Sequence, residues 1–397
     1  MEKKYSLKDL LTLMIATLAL TSVVLGLVFY VYTRTPKENI NTGDSHDLSE
    51  LLEVISTRFI GEYDMDELFE EARRAMIAAL DDDWSYYMTA QEFERFLQNS
   101  DNRYHGIGVE VKTDEENGGI RVTNVYRDSG AQLAGIITGD VIVAIDGDSI
   151  RGWTMTEVRD ALRRELDTTA LLTVLRHDGN YYDLTVVYSI IFTDPVRYEM
   201  LDGNIGYVAL RNFESGAADS FIDAVNTLIQ NGAVAFIYDV RSNNGGKVTE
   251  MTKILDFLLP EGEIFIAVSH TGEEKITTSD ADFIDIPAVV LINAFSFSGA
   301  EYFAAVLSEY DYALSVGEQT TGKNRMQTTL RLSTGAAVHI STGEYLTPNR
   351  ISLFAEGGFT PDFPMALSED EFILFISGEL SFDDDPQIQK AISLLED

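Results

Sequence analysis

The sequence predicts an α/β fold for its second half, preceded by a smaller β-rich domain and by one membrane-spanning helix. Apolar strands and amphipathic helices alternate over residues 193–368, and a helical segment follows at residues 369–397. Alternation of this kind is typical of a sheet whose parallel strands are joined by crossover helices. Short strands punctuated by glycine fill residues 101–192, and residues 10–32 contain no charged side chain. We therefore expect three different kinds of structural unit in one chain.

The composition excludes several classes of function. The chain has 397 residues, 45% of them hydrophobic, so it can bury more than one core. Its formal net charge of −36 argues against a nucleic-acid partner, because an acidic surface repels phosphate. The chain contains no cysteine, which rules out disulfides, a thiol nucleophile and cysteine-ligated metals. Because no HExxH motif or cluster of aspartate and histidine is present, we expect neither a metal nor another cofactor.

The apolar residues 10–32 are interpreted as a membrane anchor. As a helix these 23 residues would extend about 34 Å, enough to cross the hydrocarbon core. A cleaved signal peptide is shorter and ends in small residues, whereas this segment ends in aromatic and β-branched ones. Lys3, Lys4 and Lys8 precede it, so the positive-inside rule places residues 1–9 in the cytoplasm and the remainder outside it. A buried helix of a soluble protein is the alternative.

Residues 33–46 form a polar linker without periodicity, and residues 47–100 are predicted to be mainly helical. The apolar side chains that recur there at helical spacing are Leu48, Leu51, Leu52, Ile55, Phe59, Leu68, Ala72, Ala75, Met76 and Ala79. We predict that these apolar side chains pack against other parts of the same chain. A contact between copies of the chain in a homo-oligomer is the alternative. Residues 80–88, which follow, are interpreted as a packing loop.

The pattern of residues 101–192 resembles a PDZ domain. A Gly-Ile-Gly-Val run starts at Gly106, and a helix-compatible stretch spans residues 156–164. Glycines let backbone amides turn toward a carboxylate, and the strand after them offers an edge to which a peptide can add. We therefore predict that protein or peptide substrates bind here by their C-terminal tails. The predicted contact residues are Ile107, Gly108, Val109, Val158 and Leu162.

Ser298, Lys323 and Gln327 are the candidate catalytic residues. Ser298 follows the apolar run 288–293 through a short turn and opens a helix-compatible stretch. Lys323 lies 25 positions after Ser298, and Gln327 lies four after Lys323. A serine hydroxyl needs a base within hydrogen-bond reach, and a lysine can serve only when burial lowers its pKa enough to leave the amine neutral.

The sequence around these residues resembles the carboxyl-terminal processing, or tail-specific, serine proteases. Their motifs read roughly SASASE and GKGxVQ with the spacing found here, and DVRSNNGG at residues 239–246 matches their DLRxNxGG. The resemblance covers about residues 50–365 and implies a crotonase-like core with an inserted or preceding PDZ domain. It implies a serine-type endopeptidase with Ser298 as nucleophile, Lys323 as base and Gln327 orienting the amine. Candidate oxyanion donors are the backbone amides of Gly245, Gly246 and Gly299.

Three positions depart from the family pattern. Phe297 is bulky where alanine is usual, Ala300 replaces the last serine, and Asn324 replaces the glycine after the lysine. Asparagine tolerates left-handed backbone better than most residues, so the lysine turn is expected to survive. Ser296 keeps the first serine of the motif and is the alternative nucleophile.

Three other functions are alternatives to this interpretation. The first is a catalytically silent, membrane-anchored PDZ adaptor that binds protein C-termini. The second is a Ser-His-Asp enzyme, although no motif ties any of the five histidines to Ser298. The third is an acyl-CoA enzyme of the crotonase type, against which the acidic charge and the PDZ-like segment count.

Overall fold

The computed structural model describes residues 42–396. The predicted cytoplasmic tail, the predicted membrane segment at residues 10–32 and most of the linker lie outside the described residues. Within the described part of the chain, no helix is both long enough and apolar enough to cross a bilayer. The chain divides into two compact units, and the division falls after Leu68.

Helices begin the described chain, as the apolar spacing predicts. Helix α1 spans Thr42–Arg58 and helix α2 spans Met65–Ala78. The apolar side chains of α1 are largely exposed, with Leu48 at 56% and Leu51 at 54%. The spacing alone would have placed these side chains on a packed face.

A short strand and a capped helix follow, and they belong to the larger unit. Strand β1 (Tyr86–Met88) precedes helix α3 (Ala90–Ser100). The hydroxyl of Thr89 accepts a hydrogen bond from the Glu92 amide, and the Glu92 carboxylate accepts one from the Thr89 amide. This reciprocal capping box satisfies two amides that a helix start otherwise leaves unpaired. Residues 47–100 are therefore not purely helical, because they also supply a strand.

The glycine-punctuated region forms a separate β-rich domain. Its sheet has the order β3-β4-β5-β7-β8, with β6 beside β5, and all pairings are antiparallel. A second, two-stranded sheet pairs the entering strand β2 with the leaving strand β9. The elements are β2 (Arg103–Gly106), β3 (Val109–Asp114), β4 (Gly119–Val125), α4 (Gly130–Ala134), β5 (Val141–Ile145), β6 (Asp148–Ser149), α5 (Met155–Ala161), β7 (Thr169–Leu175), β8 (Tyr181–Val187) and β9 (Ser189–Phe192).

The second half is an α/β core, as predicted. A six-stranded sheet has the order β10-β11-β12-β15-β16-β19, parallel throughout except for the antiparallel pair β10 and β11. All five residues of β12 and of β15 are buried, as expected for strands covered on both faces. The strands and helices of this layer are β10 (Val196–Leu201), β11 (Ile205–Leu210), α6 (Ala217–Gln230), β12 (Ala235–Asp239), α7 (Val248–Leu258), β15 (Ala288–Ile292), α8 (Gly299–Glu309), β16 (Ala313–Gly317), β19 (Phe363–Pro364), α9 (Glu369–Ser377) and α10 (Pro386–Glu396).

An antiparallel sheet completes the core and carries the loop that holds Lys323. Its long strand β18 pairs with β17 along one edge, and with β1 and β13 along the other. The new elements are β13 (Gly262–Ser269), β14 (Glu274–Ser279), β17 (Arg325–Arg331) and β18 (Ala337–Leu346). Because β1 lies before the β-rich domain in the chain and pairs with a strand after it, the β-rich domain is an insertion in the core.

Candidate active site

Ser298 lies at a strained turn between a buried strand and a helix. Strand β15 ends at Ile292 and helix α8 begins at Gly299, so five residues and Ser298 make the turn. Ser298 has φ 58° and ψ −121°, a backbone conformation that residues with a side chain rarely adopt. Strain of this kind persists only where neighbouring contacts hold it, and it recurs at nucleophiles on strand-to-helix turns.

Buried hydrogen bonds hold the turn in this shape. The Ser296 hydroxyl donates to the Val240 carbonyl at 2.8 Å, and Ser296 has no exposed surface. The Phe297 amide donates to the Asn243 carbonyl at 3.1 Å, and the Asn293 side chain accepts from the Ser242 amide at 2.8 Å. These hydrogen bonds attach the turn to the loop at residues 239–246. Ser296 is a buried structural residue, so substrate cannot reach it as the alternative nucleophile.

The Glu301 carboxylate joins the Ser298 turn to the Lys323 loop. It is fully buried and accepts four hydrogen bonds of 2.7–2.8 Å. The donors are the amides of Ser298, Gly322 and Lys323 and the hydroxyl of Thr320. Burial raises the pKa of Glu301, while these donors act in the opposite direction. A single carboxylate therefore sets the distance between two segments that are far apart in sequence.

Lys323 lies in a partly buried, aromatic environment. Burial lowers the pKa of its amine from 10.5 to about 8, against the opposing effect of the Glu301 and Asp82 carboxylates. The amine lies 4.4 Å from the centroid of the Trp84 ring and 5.9 Å from that of Phe297. A lysine in this state is neutral in a substantial fraction of molecules at mildly alkaline pH, as a general base requires.

No hydrogen bond between Ser298 and Lys323 is present among the described residues, nor between Lys323 and Gln327. The Gln327 amide group instead donates to the Arg325 carbonyl at 2.9 Å and to the Ser341 hydroxyl at 3.1 Å. Gln327 lies in strand β17, which begins at Arg325, whereas Lys323 lies in the loop before that strand. Its orienting role stays a prediction.

The three predicted oxyanion glycines lie together beside Ser298. A Cβ atom on Gly245 would lie 2.8 Å from both Ser298 Cβ and the Gly299 nitrogen, which shows how closely the loop approaches. The Gly245 amide already donates to Asn243 Oδ1 at 2.8 Å. Among the described residues, no hydrogen bond uses the amides of Gly246 or Gly299. These two amides are therefore better placed than that of Gly245 to receive a ligand oxygen.

Behind this loop lies a buried ion-pair network that the sequence interpretation did not identify. Arg241 donates to both carboxylate oxygens of Asp239 and, at 2.8 Å each, to Asp385 and Gln387. Burial opposes the charge of Arg241, but the carboxylates of Asp239 and Asp385 hold its pKa above the ordinary value. The network ties the strand end that precedes the glycine loop to the start of α10.

Asn324 and the histidines complete the neighbourhood of Lys323. Asn324 is not among the residues with positive φ, and its amide group donates to Ser352 at 2.9 Å, so left-handed backbone is not needed there.

His339 bonds Thr329 at 2.8 Å, and burial lowers its pKa to about 4. Within the described part of the chain, no histidine is hydrogen-bonded to Ser298. No group of three or more potential metal-ligating side chains is found there either.

The predicted peptide-contact residues of the β-rich domain line one cavity of about 520 Å³. All five, Ile107, Gly108, Val109, Val158 and Leu162, contribute to its wall. Strand β3 and helix α5 form its sides, which is the arrangement expected for a peptide that adds to a strand edge. Arg159 and Arg163 also line it, and neither was predicted.

Two family descriptions match the chain. Peptidase family S41 matches residues 204–365, and a PDZ domain matches residues 121–176. The carboxy-terminal processing protease CtpA of Bacillus subtilis (strain 168) is 29% identical over 315 residues, which cover 78% of this chain and 67% of the relative. A CtpA-like serine protease of Staphylococcus aureus (strain COL) is 25% identical over 389 residues, covering 96% and 77% respectively.

One solved structure has a similar architecture. A crystal structure of an S41 protease from Bacteroides fragilis NCTC 9343 superposes with a TM-score of 0.55 at 17% sequence identity. The superposition covers 81% of this chain and 90% of the other. At this level of identity the likeness shows a common fold.

Proposed function

Because this chain belongs to the carboxyl-terminal processing serine proteases of peptidase family S41 and carries a PDZ domain, we propose that Ser298 is its nucleophile and Lys323 its general base. One observation carries the proposal. The Glu301 carboxylate accepts hydrogen bonds from the amides of both residues, at 2.8 Å from Ser298 and 2.7 Å from Lys323. A helix residue thereby holds the two reactive segments side by side.

In the first step, the neutral Lys323 amine accepts the proton of Ser298 Oγ while that oxygen attacks the carbonyl carbon of the scissile peptide. The carbonyl π electrons move to its oxygen, and the amides of Gly246 and Gly299 donate to the oxyanion that forms. The Lys323 ammonium then returns the proton to the leaving amine as the C–N bond breaks. Water, deprotonated by the same lysine, hydrolyses the resulting ester and restores Ser298.

The base must be uncharged to act, so the direction of the pH dependence follows from the pKa of Lys323. Burial lowers that pKa to about 8, and protonation below this value removes the base. We therefore expect kcat/KM to rise with pH and to level off above about pH 8. A neutral histidine base of ordinary pKa would give a rise about 1.5 pH units lower, and a carboxylate base would give one about 4 pH units lower.

We propose that the PDZ cavity holds the C-terminal tail of a protein substrate while a nearby segment enters the active site. The cavity has an exposed strand edge on one side and helix α5 on the other, which supports binding of an extended peptide. The uncharged residues 10–32 support our further proposal that a membrane anchor holds the catalytic part outside the cytoplasm.

The test is cleavage of a loosely folded protein by the full chain in detergent. Ser298→Ala and Lys323→Ala are each expected to lower turnover by at least about a thousandfold, because neither attack nor proton transfer remains. Ser308→Ala, in the same helix, and Lys253→Ala, whose side chain is 57% exposed, are matched controls and should retain full activity. Circular dichroism checks that all four variants are folded.

Retained turnover by Ser298→Ala would reject the nucleophile. A chain that binds tail peptides but cleaves nothing would instead be the silent adaptor. A fully active Lys323→Ala combined with an inactive His339→Ala would favour a histidine base.

A further inference from the structure

Two aromatic side chains, Trp84 and Phe297, lie together at the active site. Trp84 comes from the loop before β1, and Phe297 comes from the turn that carries Ser298. Their ring centroids are 5.8 Å apart, and the ring planes are tilted by 36°. The Lys323 amine lies 4.4 Å from the Trp84 ring centroid and 5.9 Å from the Phe297 centroid. We call this pair of rings the aromatic seat.

The loop that carries Trp84 is anchored to strands β17 and β18 by hydrogen bonds. The Asp82 carboxylate accepts a hydrogen bond from Arg325 at 2.7 Å and another from Ser85. The Ser85 hydroxyl in turn accepts from the Ser341 amide at 3.0 Å. Arg325 opens strand β17 directly after the lysine loop, so the position of the Trp84 ring is fixed relative to Lys323 by buried or half-buried polar contacts.

The charged and titratable groups that face Lys323 come from several elements. Glu301 on α8 and Asp82 on the Trp84 loop favour the ammonium form, and burial opposes it. His339 on β18 lies near enough for the lysine charge to lower the histidine pKa further. The Tyr345 hydroxyl donates to the Lys323 carbonyl, so it binds the backbone and leaves the amine free to move.

An aromatic face attracts an ammonium and has no comparable attraction for a neutral amine. The seat therefore stabilises Lys323 in the protonated form, at a position from which no hydrogen bond to Ser298 is made among the described residues. Loss of the proton removes that attraction and frees the amine to reach the hydroxyl.

We propose that Trp84 and Phe297 are positioning residues that hold the Lys323 side chain off Ser298 in the resting enzyme, and that movement of the amine from this aromatic seat to Ser298 Oγ precedes acyl transfer. The proposal rests on the proposed function, in which Lys323 is the base. It assigns a role to Phe297, at which this chain differs from the family motif, and to Trp84, which lies in the segment that the sequence indicated only as a packing loop.

The first test measures the contact without using activity. The chain has two tryptophans, so Trp153→Phe leaves Trp84 as the sole indole. In a full chain that also carries Ser298→Ala, Trp84 fluorescence is followed from about pH 6 to pH 10. We expect a transition near the lysine pKa of about 8, because the ammonium leaves the ring as it deprotonates. The transition should be absent when Lys323→Met is added, and a transition that persists there would overturn the proposal.

The second test measures the effect on catalysis. In the active Trp153→Phe chain, tryptophan fluorinated on its six-membered ring keeps the shape of Trp84 but weakens the attraction of its face for a cation. The ammonium is then less stabilised, so the acid limb of kcat/KM should move to lower pH by about half a unit, which is about a threefold gain below the limb. A purely structural role would lower kcat without moving the limb, and an unmoved limb would contradict the proposal.

The two tests separate the failure of the seat from the failure of the proposed function. If Ser298→Ala still cleaves substrate, the proposed chemistry is wrong, yet the fluorescence titration still reports whether the amine rests on Trp84. If Ser298→Ala is inactive and neither fluorescence nor the acid limb responds as expected, only the seat is wrong.

Discussion

At the scale of single residues, Glu301 is a carboxylate that can be buried in the site only because hydrogen-bond donors surround it. Its carboxylate is buried and has four donors around it, two of which are the amides of Ser298 and Lys323. Charge-assisted bonds of this kind are about twice as strong as neutral ones. The helix start and the lysine loop are therefore expected to separate when the carboxylate is lost.

Glu301→Gln tests this expectation. Glutamine has one acceptor oxygen, and its NH₂ group would face donors, so we expect a loss of about 2–4 kcal/mol in the free energy of unfolding. Misplacement of the base should lower kcat by about tenfold to a hundredfold. Urea denaturation and steady-state kinetics measure the two effects. Glu356→Gln, at an exposed position, is the matched control and should change neither. Equal stabilities and equal kcat values for the two variants would show that the Glu301 carboxylate does not hold the two segments together.

The sequence could predict Ser298 and Lys323 as candidate catalytic residues, because a motif with a fixed spacing contains them. It could not assign Glu301 its function, because three of its four donors lie 19–22 positions away and meet it only in the folded chain. The only signal was a glutamate three residues after the serine. The sequence predicts only a packing loop at Trp84, and its contact with Lys323 depends on the non-local pairing of β1 with β18.

At the scale of elements, the contact between the glycine loop and the nucleophile turn depends on the lack of a side chain at Gly245. The glycine has φ +86°, and a Cβ there would lie 2.8 Å from Ser298 Cβ. The match of DVRSNNGG to the family motif made these glycines candidate oxyanion donors, and in the structure Gly245 lies against Ser298 and Gly299. It could not show that Gly245 uses its amide within the loop, since this depends on the orientation of Asn243.

Gly245→Ala and Gly135→Ala form a matched pair. Both glycines have φ +86°, but nothing lies within 4 Å of a Cβ on Gly135. Both substitutions should lower the free energy of unfolding by about 1 kcal/mol, because alanine is strained in left-handed backbone. Only Gly245→Ala must also displace the Ser298 turn. We expect Gly245→Ala to lower kcat by at least about a hundredfold and Gly135→Ala to leave it unchanged. Comparable kcat values for the two variants would show that the turn tolerates a methyl group.

At the scale of the whole molecule, the network around Arg241 connects the C-terminal helix to the active-site loop. Arg241 and Asp385 have side chains that are 1% and 3% exposed and 2.8 Å apart. Asp385 also accepts from the amides of Gln387 and Ile388, so it caps α10. The sequence predicted a helical segment at residues 369–397, but a sequence cannot show which carboxylate will meet a buried guanidinium.

Asp385→Ala is expected to lower the free energy of unfolding by about 3–5 kcal/mol, because it leaves a buried charge short of a partner and removes a helix cap. The control is Glu263→Ala, which breaks an ion pair with Arg350 in which each side chain is 41% exposed. Exposed pairs of this kind contribute less than about 1 kcal/mol. Urea unfolding of the two variants should differ clearly, and coincident curves would rule out a stabilising role for the network.

The PDZ domain enters and leaves the core at almost one point. The Thr193 amide and hydroxyl both donate to the Asn102 carbonyl, at 2.9 and 3.0 Å, and strands β2 and β9 continue that pairing. The Asn102 side chain also bonds Ser215 and Asn212 of the core. An inserted domain whose two ends are adjacent in this way can be replaced by another domain without a change in the path of the chain through the core. Under the proposed role of the PDZ cavity, replacing this domain would change which protein tails are bound and leave Ser298 and Lys323 in place.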